Sequence, residues 1–406
     1  MTDNKVLKIT EDVSWIGVLD PDIRTFDIVM ETKYGTTYNS YFINAQKKAI
    51  IDCTKEAFWE TYLAKLSSVT NPAEIEYIIL NHGEPDHTGN LQNLLKLAPK
   101  AKVVGSGNLI RFISDLINAP FEFIEVKNGD TLSLGNKTLQ FVGAHNLHWP
   151  DTIYTYLQED KVLFTNDSFG SHYCHQEMFD DKVGDFEEAN KYYFDVIMKP
   201  YAKFMLKAVE KIRPLDIRAV CPGHGPLLTH YWKKYVDLSE KYAKEALKHP
   251  EKDKVFIAYV SAYGKTKMIA EAIAKGIMKN PEIVVDLCDI EKFTFDQLDE
   301  KLSQSAAVIL GSPTINKNTL LPVYTTFAAV NPLRDKGKLA GSFGSYGWSG
   351  ECVKILEANF IALKFELFPG SIFVKFTPSE DDLNKSVEYG IAFAKKMIAM
   401  KDSLSE

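Results

Sequence analysis

Four side chains able to ligate a metal fall within six residues in the run His82-Gly83-Glu84-Pro85-Asp86-His87. Imidazoles and carboxylates together suit divalent transition metals. The apolar run 75–80 just before them reads as a buried strand. The cluster therefore sits on a loop leaving a strand end, where α/β folds build their sites. Three further candidates have a similar setting. His148 lies in Leu147-His148-Trp149-Pro150-Asp151, ahead of an expected strand. Asp167, in Thr165-Asn166-Asp167, and His224, in Cys221-Pro222-Gly223-His224-Gly225, each lie just past one. Such loops can converge at one edge of a sheet sandwich.

A second set of loops lies in the C-terminal part. The apolar run 255–260 leads into Ser261-Ala262-Tyr263-Gly264-Lys265-Thr266 and then into a helix. Hydroxyls, a glycine and free helix N-terminal amides make an anion site. Gly264-Lys265-Thr266 matches the tail of a Walker A loop, but that motif's opening glycine would fall at Tyr259, which argues against a nucleotide triphosphate. Two more loops leave later strands: Gly311-Ser312-Pro313-Thr314-Ile315-Asn316 and Gly344-Ser345-Tyr346-Gly347-Trp348-Ser349-Gly350.

The elements that must carry these loops differ between the two parts. Segments 13–19, 26–32 and 37–43 read as antiparallel strands, and 49–52 continues the pattern. Segments 91–97 and 109–117 have helical spacing. Gly135-Asn136 signals a hairpin between 132–134 and 139–141, and Glu159-Asp160 a turn between 152–157 and 162–165. A long helical stretch, 186–212, precedes a short strand at 217–221. The charged run His249-Pro250-Glu251-Lys252-Asp253-Lys254 marks a boundary between domains at 1–250 and 254–406. Beyond it, strands at 255–260, 283–287, 306–310, 339–343 and 372–376 alternate with helices, the last at 383–400. That rhythm implies a doubly wound, five-stranded parallel sheet of flavodoxin size.

Composition bounds the function. The chain has 406 residues, 45% hydrophobic and 25% charged, as in ordinary globular proteins of two domains. Its formal net charge of -7, without a concentrated basic face, argues against a nucleic-acid partner. No apolar run approaches the ~20 residues needed to span a bilayer, and no leader segment is apparent, so a cytoplasmic, membrane-free protein is expected. Cys53, Cys174, Cys221, Cys288 and Cys352 are an odd, scattered set without a C-x-x-C pair. Free thiols in a reducing compartment fit, and a built-in rubredoxin-type iron site does not. Cys174 and Cys221 are expected to be buried and inert.

The order H-x-E-x-D-H, His before Trp-Pro-Asp, Asn-Asp and His-Gly resembles the metallo-β-lactamase fold and, more narrowly, the flavodiiron proteins. Glu84 stands where hydrolytic members of that fold carry His. The resemblance implies an N-terminal metallo-β-lactamase-like αββα sandwich followed by the flavodoxin-like domain. It implies that His82, Glu84 and His148 hold one iron, that Asp86, His87 and His224 hold the other, and that Asp167 bridges them. Three carboxylates and a bridging hydroxide would balance a diferrous pair, which limits the desolvation cost of burying it. His145 reads as structural. His172, which orients a ligand or supplies a proton, and Tyr193, with its neighbour Tyr192, are the candidates beside the open metal positions.

The loop Ser261, Tyr263, Gly264, Lys265, Thr266 resembles the flavodoxin phosphate loop. Ser312, Pro313, Thr314, Ile315 and Asn316, with Ser345, Tyr346, Gly347, Trp348, Ser349 and Gly350, are then expected to clamp an isoalloxazine ring. Trp348 or Tyr346 would stack on it. FMN fits better than FAD, because the loop cradles a terminal phosphate and no second nucleotide fold is apparent.

The resemblance implies reduction of dioxygen to water, of nitric oxide to nitrous oxide, or both. It also implies head-to-tail homodimers, or pairs of such dimers. Electrons would come from an external donor, by family default a rubredoxin, alternatively a reduced deazaflavin coenzyme. Two rival readings are a zinc hydrolase with a flavodoxin appendage, which Glu84 opposes, and a non-catalytic electron carrier or gas sensor, which the full ligand set opposes.

Overall fold

The computed structural model describes residues 3, 5–27, 30–248 and 253–405. The chain divides into two compact units, Met1–Lys248 and His249–Glu406. Residues 249–252 of the expected boundary lie outside the described residues.

The first unit stacks two sheets. One runs in the order Leu7–Lys8, Val13–Trp15, Tyr41–Ile43, Lys48–Ile51, Ile75–Ile79, Lys102–Gly105, Phe123–Glu125. The other runs Thr131–Ser133, Thr138–Gly143, Ile153–Leu157, Val162–Asn166, Ala219–Pro222. Trp15, Tyr41, Ile51, Val104, Phe141 and Phe164 lie in the apolar core the sheets share. A second core includes Leu66 and Ile113, of the Trp59–Val69 and Gly107–Ile117 helices, together with Ile50 and Val103 of the first sheet. A third includes Met205 and Val236, of the Ala202–Ile212 and Trp232–Ala246 helices, with Tyr154 and Leu163 of the second sheet. These layers make the αββα sandwich, and strands of both sheets end in the loops at 81–87, 166–172 and 222–225.

Several segments are more broken than their apolar pattern suggests. Segments 13–19 and 37–43 are each two strands, because the chain leaves the large sheet at Gly17 and at Asn39-Ser40. Val18–Asp20 and Thr36–Tyr38 then pair separately as a ribbon. A side chain at Gly17 would meet the Tyr38 carbonyl at 2.5 Å, so the close approach requires glycine. In place of one strand at 26–32 there are two short ones, Thr25–Phe26 and Met30–Glu31, paired antiparallel, with residues 28–29 outside the described ones. The expected helix 186–212 is interrupted. Glu187–Tyr193 is α-helical, Phe194–Met198 is a wide π turn, Lys199–Tyr201 is a tight 3₁₀ turn, and Ala202–Ile212 resumes the α-helix. Pro200 inside this stretch lacks the amide an α-helix would use there. Cys221 is buried, whereas Cys174 is only half-buried.

The second unit is a parallel sheet in the order Ile283–Asp289, Asp253–Tyr259, Ala307–Pro313, Leu339–Tyr346, with the fifth strand split. Glu366–Leu367 pairs with the start of Leu339–Tyr346 and Ile372–Lys375 with its end. Helices Lys265–Ile277 and Glu380–Ser405 pack side by side, and Gly276 and Gly390 meet at their closest approach. No helix among the described residues is long and apolar enough to cross a membrane.

A Cβ on Gly276 would lie 2.1 Å from the Val387 carbonyl, which belongs to helix backbone and cannot yield. Gly276→Ala is therefore expected to destabilise the C-terminal unit by about 1–3 kcal/mol. Chemical denaturation followed by circular dichroism checks this, and unchanged stability would contradict the close packing.

Candidate metal centre and flavin loops

The loop after Ile75–Ile79 carries His82 and Glu84 and then turns into the short helix Pro85–Thr88, which carries Asp86 and His87. The loop after Val162–Asn166 brings Asp167, and the one after Ala219–Pro222 brings His224. His148 enters from the segment between Thr138–Gly143 and Ile153–Leu157. Two groups of candidate ligand atoms result, each within 4.8 Å: His82, Glu84, His148, Asp167 and Asp86, His87, His224.

Asp167 stands between them. Its Oδ2 lies 3.6 Å from His82 Nε2 and 3.4 Å from His148 Nε2. Its Oδ1 lies 3.0 Å from His87 Nε2 and 3.5 Å from His224 Nε2. Glu84 Oε2 is 3.1 Å from His82 Nε2 and 3.0 Å from His148 Nε2, and Asp86 Oδ2 is 3.1 Å from His224 Nε2. All four imidazoles thus turn Nε2 toward carboxylate oxygens.

Two of these rings have their tautomer set from behind. His224 Nδ1 donates to the Thr37 carbonyl at 2.6 Å, and His82 Nδ1 faces both Asp151 oxygens at 3.3 Å. Neutral rings so oriented would aim Nε2 lone pairs at carboxylate lone pairs, so a cation is needed between them. The proton affinities express the same demand. Burial opposes charging His82, but Asp151, Glu84 and Asp167 together raise its pKa to about 10. His148 is raised to about 10 against burial by Asp167 and Glu84, and His87 to about 9 by Asp86 and Asp167. Despite burial, Glu84 is held well below the usual carboxylate range by His148 and His82, and Asp167 by His87 and His148. Both oxygens of Asp86 and Oδ2 of Asp167 are buried without a hydrogen-bond partner. Orphaned carboxylate oxygens beside imidazole nitrogens, with no thiolate, are a donor set suited to iron or manganese.

Other residues brace the loops. Asp52, fully buried, accepts from the Asn81 amide at 2.7 Å and from Asn166 Nδ2 at 3.2 Å. It ties together the strand ends that carry His82 and Asp167, and burial raises its pKa to about 6. Asn39 Nδ2 donates to the Pro222 and Gly225 carbonyls at 2.8 and 3.0 Å, and Thr37 Oγ1 accepts from the Gly225 amide at 2.8 Å. The Gly83 amide donates to Asp151 at 2.6 Å. Sequence reasoning missed Thr37, Asn39 and Asp52 in these roles. Asp151 was visible only as part of the Trp-Pro-Asp run.

His172 lies beside the centre. Its Nδ1 meets Thr36 Oγ1 at 2.9 Å, its ring stacks on Phe26 at 4.5 Å, and its buried Nε2 has no partner. Burial first, and then the His224 charge, lower its pKa well below the usual value. The Tyr193 ring is edge-on to it at 4.9 Å, with a buried hydroxyl that also lacks a partner. Tyr192 is half-buried and His145 exposed. A cavity of about 500 Å³ is lined by Phe26, Asp27, Glu84, Asp86 and Leu116. A third group, Asp180, Asp181 and His230, is structural: Asp180 accepts the amides of Thr229, His230 and Tyr231 ahead of a helix.

In the second unit Gly264, at φ 76°, opens the Lys265–Ile277 helix. Ser261 Oγ accepts from the Lys267 amide, and Thr266 Oγ1 meets Ser345 Oγ at 2.9 Å in the interior. Ser312 and Pro313 belong to the third strand, and Ser345 and Tyr346 to the fourth, so both loops start later than their sequence suggests. Ser312 is buried and donates to the Pro313 carbonyl, which makes it a scaffold for the loop. The Thr314 amide donates to the Ser345 carbonyl at 2.8 Å, joining the two loops. Ile315 and Asn318 bond reciprocally around Asn316. Of the two aromatic candidates, Tyr346 stacks on Phe373 at 4.3 Å, whereas Trp348 is 77% exposed on Gly347-Trp348-Ser349-Gly350. Tyr263 is also exposed. An open helix N-terminus, exposed aromatic rings and an open glycine turn fit FMN.

Comparison with known proteins gives this geometry a family. Residues 36–225 match the family described as ODP family beta lactamase, and residues 257–390 match flavodoxin. A flavo-diiron protein, FprA2, of Clostridium acetobutylicum is 37% identical over 96% of this chain and 99% of its own. The chain belongs to the flavodiiron family. The type A flavoprotein of Rhodobacter capsulatus is 38% identical over 94% of this chain and 89% of its own length. The rubredoxin oxygen:oxidoreductase of Desulfovibrio gigas superposes with a TM-score of 0.71 at 29% identity, covering 97% of this chain and 99% of that one. The flavodiiron protein of Giardia intestinalis gives 0.68 at 27% identity, covering 97% of each chain. As a flavodiiron protein the chain is an oxidoreductase whose cofactors are FMN and a non-haem iron pair.

In this flavodiiron protein Asp151 fixes the ring whose Nε2 faces Glu84 and Asp167. Asp151→Asn should weaken iron affinity on the order of 10–100-fold and leave FMN content unchanged. Metal and flavin content after dialysis against a graded chelator checks this. Iron retention equal to wild type would show that Asp151 does not orient His82.

Proposed function

We propose that the protein reduces dioxygen to water, nitric oxide to nitrous oxide, or both, at an iron pair supplied with electrons through FMN. We assign one iron to His82, Glu84 and His148 and the other to Asp86, His87 and His224, with Asp167 between them. Residues 1–250 form the metal-holding domain and 254–406 the flavin domain. The supporting observation is the placement of Asp167, with each oxygen facing a different pair of imidazoles.

When bound, the reduced irons and FMN hydroquinone supply two electrons each, enough to take one dioxygen to two waters, while two nitric oxides need only two. The chain's own residues supply the rest. Asp151 and Thr37 fix two imidazoles in the tautomer that leaves Nε2 free to ligate. Tyr193, with its hydroxyl unpartnered and burial pushing its pKa up, holds its proton at neutral pH. It can donate a hydrogen bond to a small molecule without losing that proton. His172, kept neutral by burial, offers Nε2 from the same side. Lys265 would set a positive charge near the phosphate of a bound FMN, and the exposed Trp348 would be free to stack on its ring.

The rubredoxin oxygen:oxidoreductase neighbour supports oxygen as substrate and a rubredoxin as external donor. A head-to-tail homodimer, in which the FMN of one subunit serves the iron pair of the other, is the assembly we assign. Anaerobic protein with reduced FMN should consume stoichiometric dioxygen or nitric oxide when each is admitted. Failure to consume either, or purification of a zinc-only colourless protein, would overturn the reading. Asp167→Ala should lose iron and keep FMN, and simultaneous loss of both would refute the two-site assignment.

A further inference from the structure

The four imidazoles of the metal centre are not held alike. His82 is backed by Asp151 and His224 by the Thr37 carbonyl. His87 Nδ1 also has no hydrogen-bond partner, but its ring is sealed in the interior. His148 has neither support. Its Nδ1 has no hydrogen-bond partner among the described residues, and its side chain is 20% exposed, against 0–2% for the other three. Its Nε2 nevertheless stands 3.0 Å from Glu84 and 3.4 Å from Asp167, as closely directed as the others.

What surrounds the His148 ring is aromatic. His82 lies edge-on at 5.3 Å and Trp149, its chain neighbour, at 6.3 Å. Tyr201, from a distant element, lies at 6.2 Å, tilted 59°. Tyr201 reaches this position through the break in the long helix. The wide turn Phe194–Met198 and the tight turn Lys199–Tyr201 reset the rotation of the chain between Tyr193 and Tyr201. Tyr193 then faces His172 and His224, while Tyr201 faces His148. Wide turns of this kind inside α-helices recur at functional sites. Tyr201 is itself half-buried and packs on the core below the second sheet, so its ring has a firm base.

We infer that Tyr201 is a positioning residue whose ring braces the His148 imidazole, doing by packing what Asp151 and Thr37 do by hydrogen bonds. The aromatic face carries this role, and the phenol hydroxyl is dispensable. The inference rests on the assignment of His148 as an iron ligand.

The test follows iron release from full-length, iron-loaded, FMN-containing protein into a coloured ferrous chelator under anaerobic conditions, with FMN absorbance recorded in parallel. Wild type and Tyr201→Phe should release both irons at the same rates. Tyr201→Ala, and Tyr201→Leu in case the smaller residue compromises folding, should release one iron per chain on the order of 10–100-fold faster. The second iron and the FMN should be retained as in wild type. Release of both irons at wild-type rates, equal acceleration of both, or rapid release from Tyr201→Phe would each overturn the inference. A His148→Ala control separates this from the underlying assignment: if that variant keeps two tightly held irons, the ligand assignment fails, whatever Tyr201 does.

Discussion

The arrangement of the first unit follows from one electrostatic conflict. Three carboxylates and four imidazole nitrogens are crowded into a nearly dry space, and two of the rings are fixed so that lone pair faces lone pair. Such a cluster is stable only with positive charge at its centre. Protons can supply that charge in part, and the neighbouring carboxylates accordingly raise the pKa values of His82, His87 and His148. Divalent ions supply it fully and satisfy the orphaned oxygens of Asp86 and Asp167 as well. The donor geometry is therefore suited to receive cations.

Holding like groups together requires rigid supports, and the fold provides them at the ends of its strands. Asp52 joins two strand ends through the Asn81 amide and the Asn166 side chain. The Val18–Asp20 and Thr36–Tyr38 ribbon leaves the main sheet and supplies Thr36, Thr37 and Asn39 to the loops bearing His172 and His224. The apparent irregularities, the bend at Gly17 and the broken helix before Ala202, are the places where the scaffold reaches toward the centre.

The donors were readable from sequence because their chemistry is local: six residues hold four of them, and the others stand beside turn residues next to apolar runs. The β-α rhythm of the second unit was readable for a similar reason, since each period fits one element. The supports were not. Asp52 looks like one more acid after a strand, and only the tertiary pairing of strand ends makes it a brace. The hydrophobic pattern of 13–19 and 37–43 is continuous, so a register change forced by a close backbone approach at Gly17 leaves little trace. The interrupted helix kept its apolar spacing across 194–201, and Pro200 was the only local sign. Loop starts after the third and fourth strands were placed early because Ser312 and Ser345 read as turn residues, whereas parallel pairing carries both into the sheet.

The donors span the first sheet, the hairpins and the last strand of the second sheet, with His224 the final one to be synthesised. No nascent chain that stops short of His224 can present the complete set of donors. If these seven donors hold the metals, loading can be completed only after translation has passed that point and both sheets have docked.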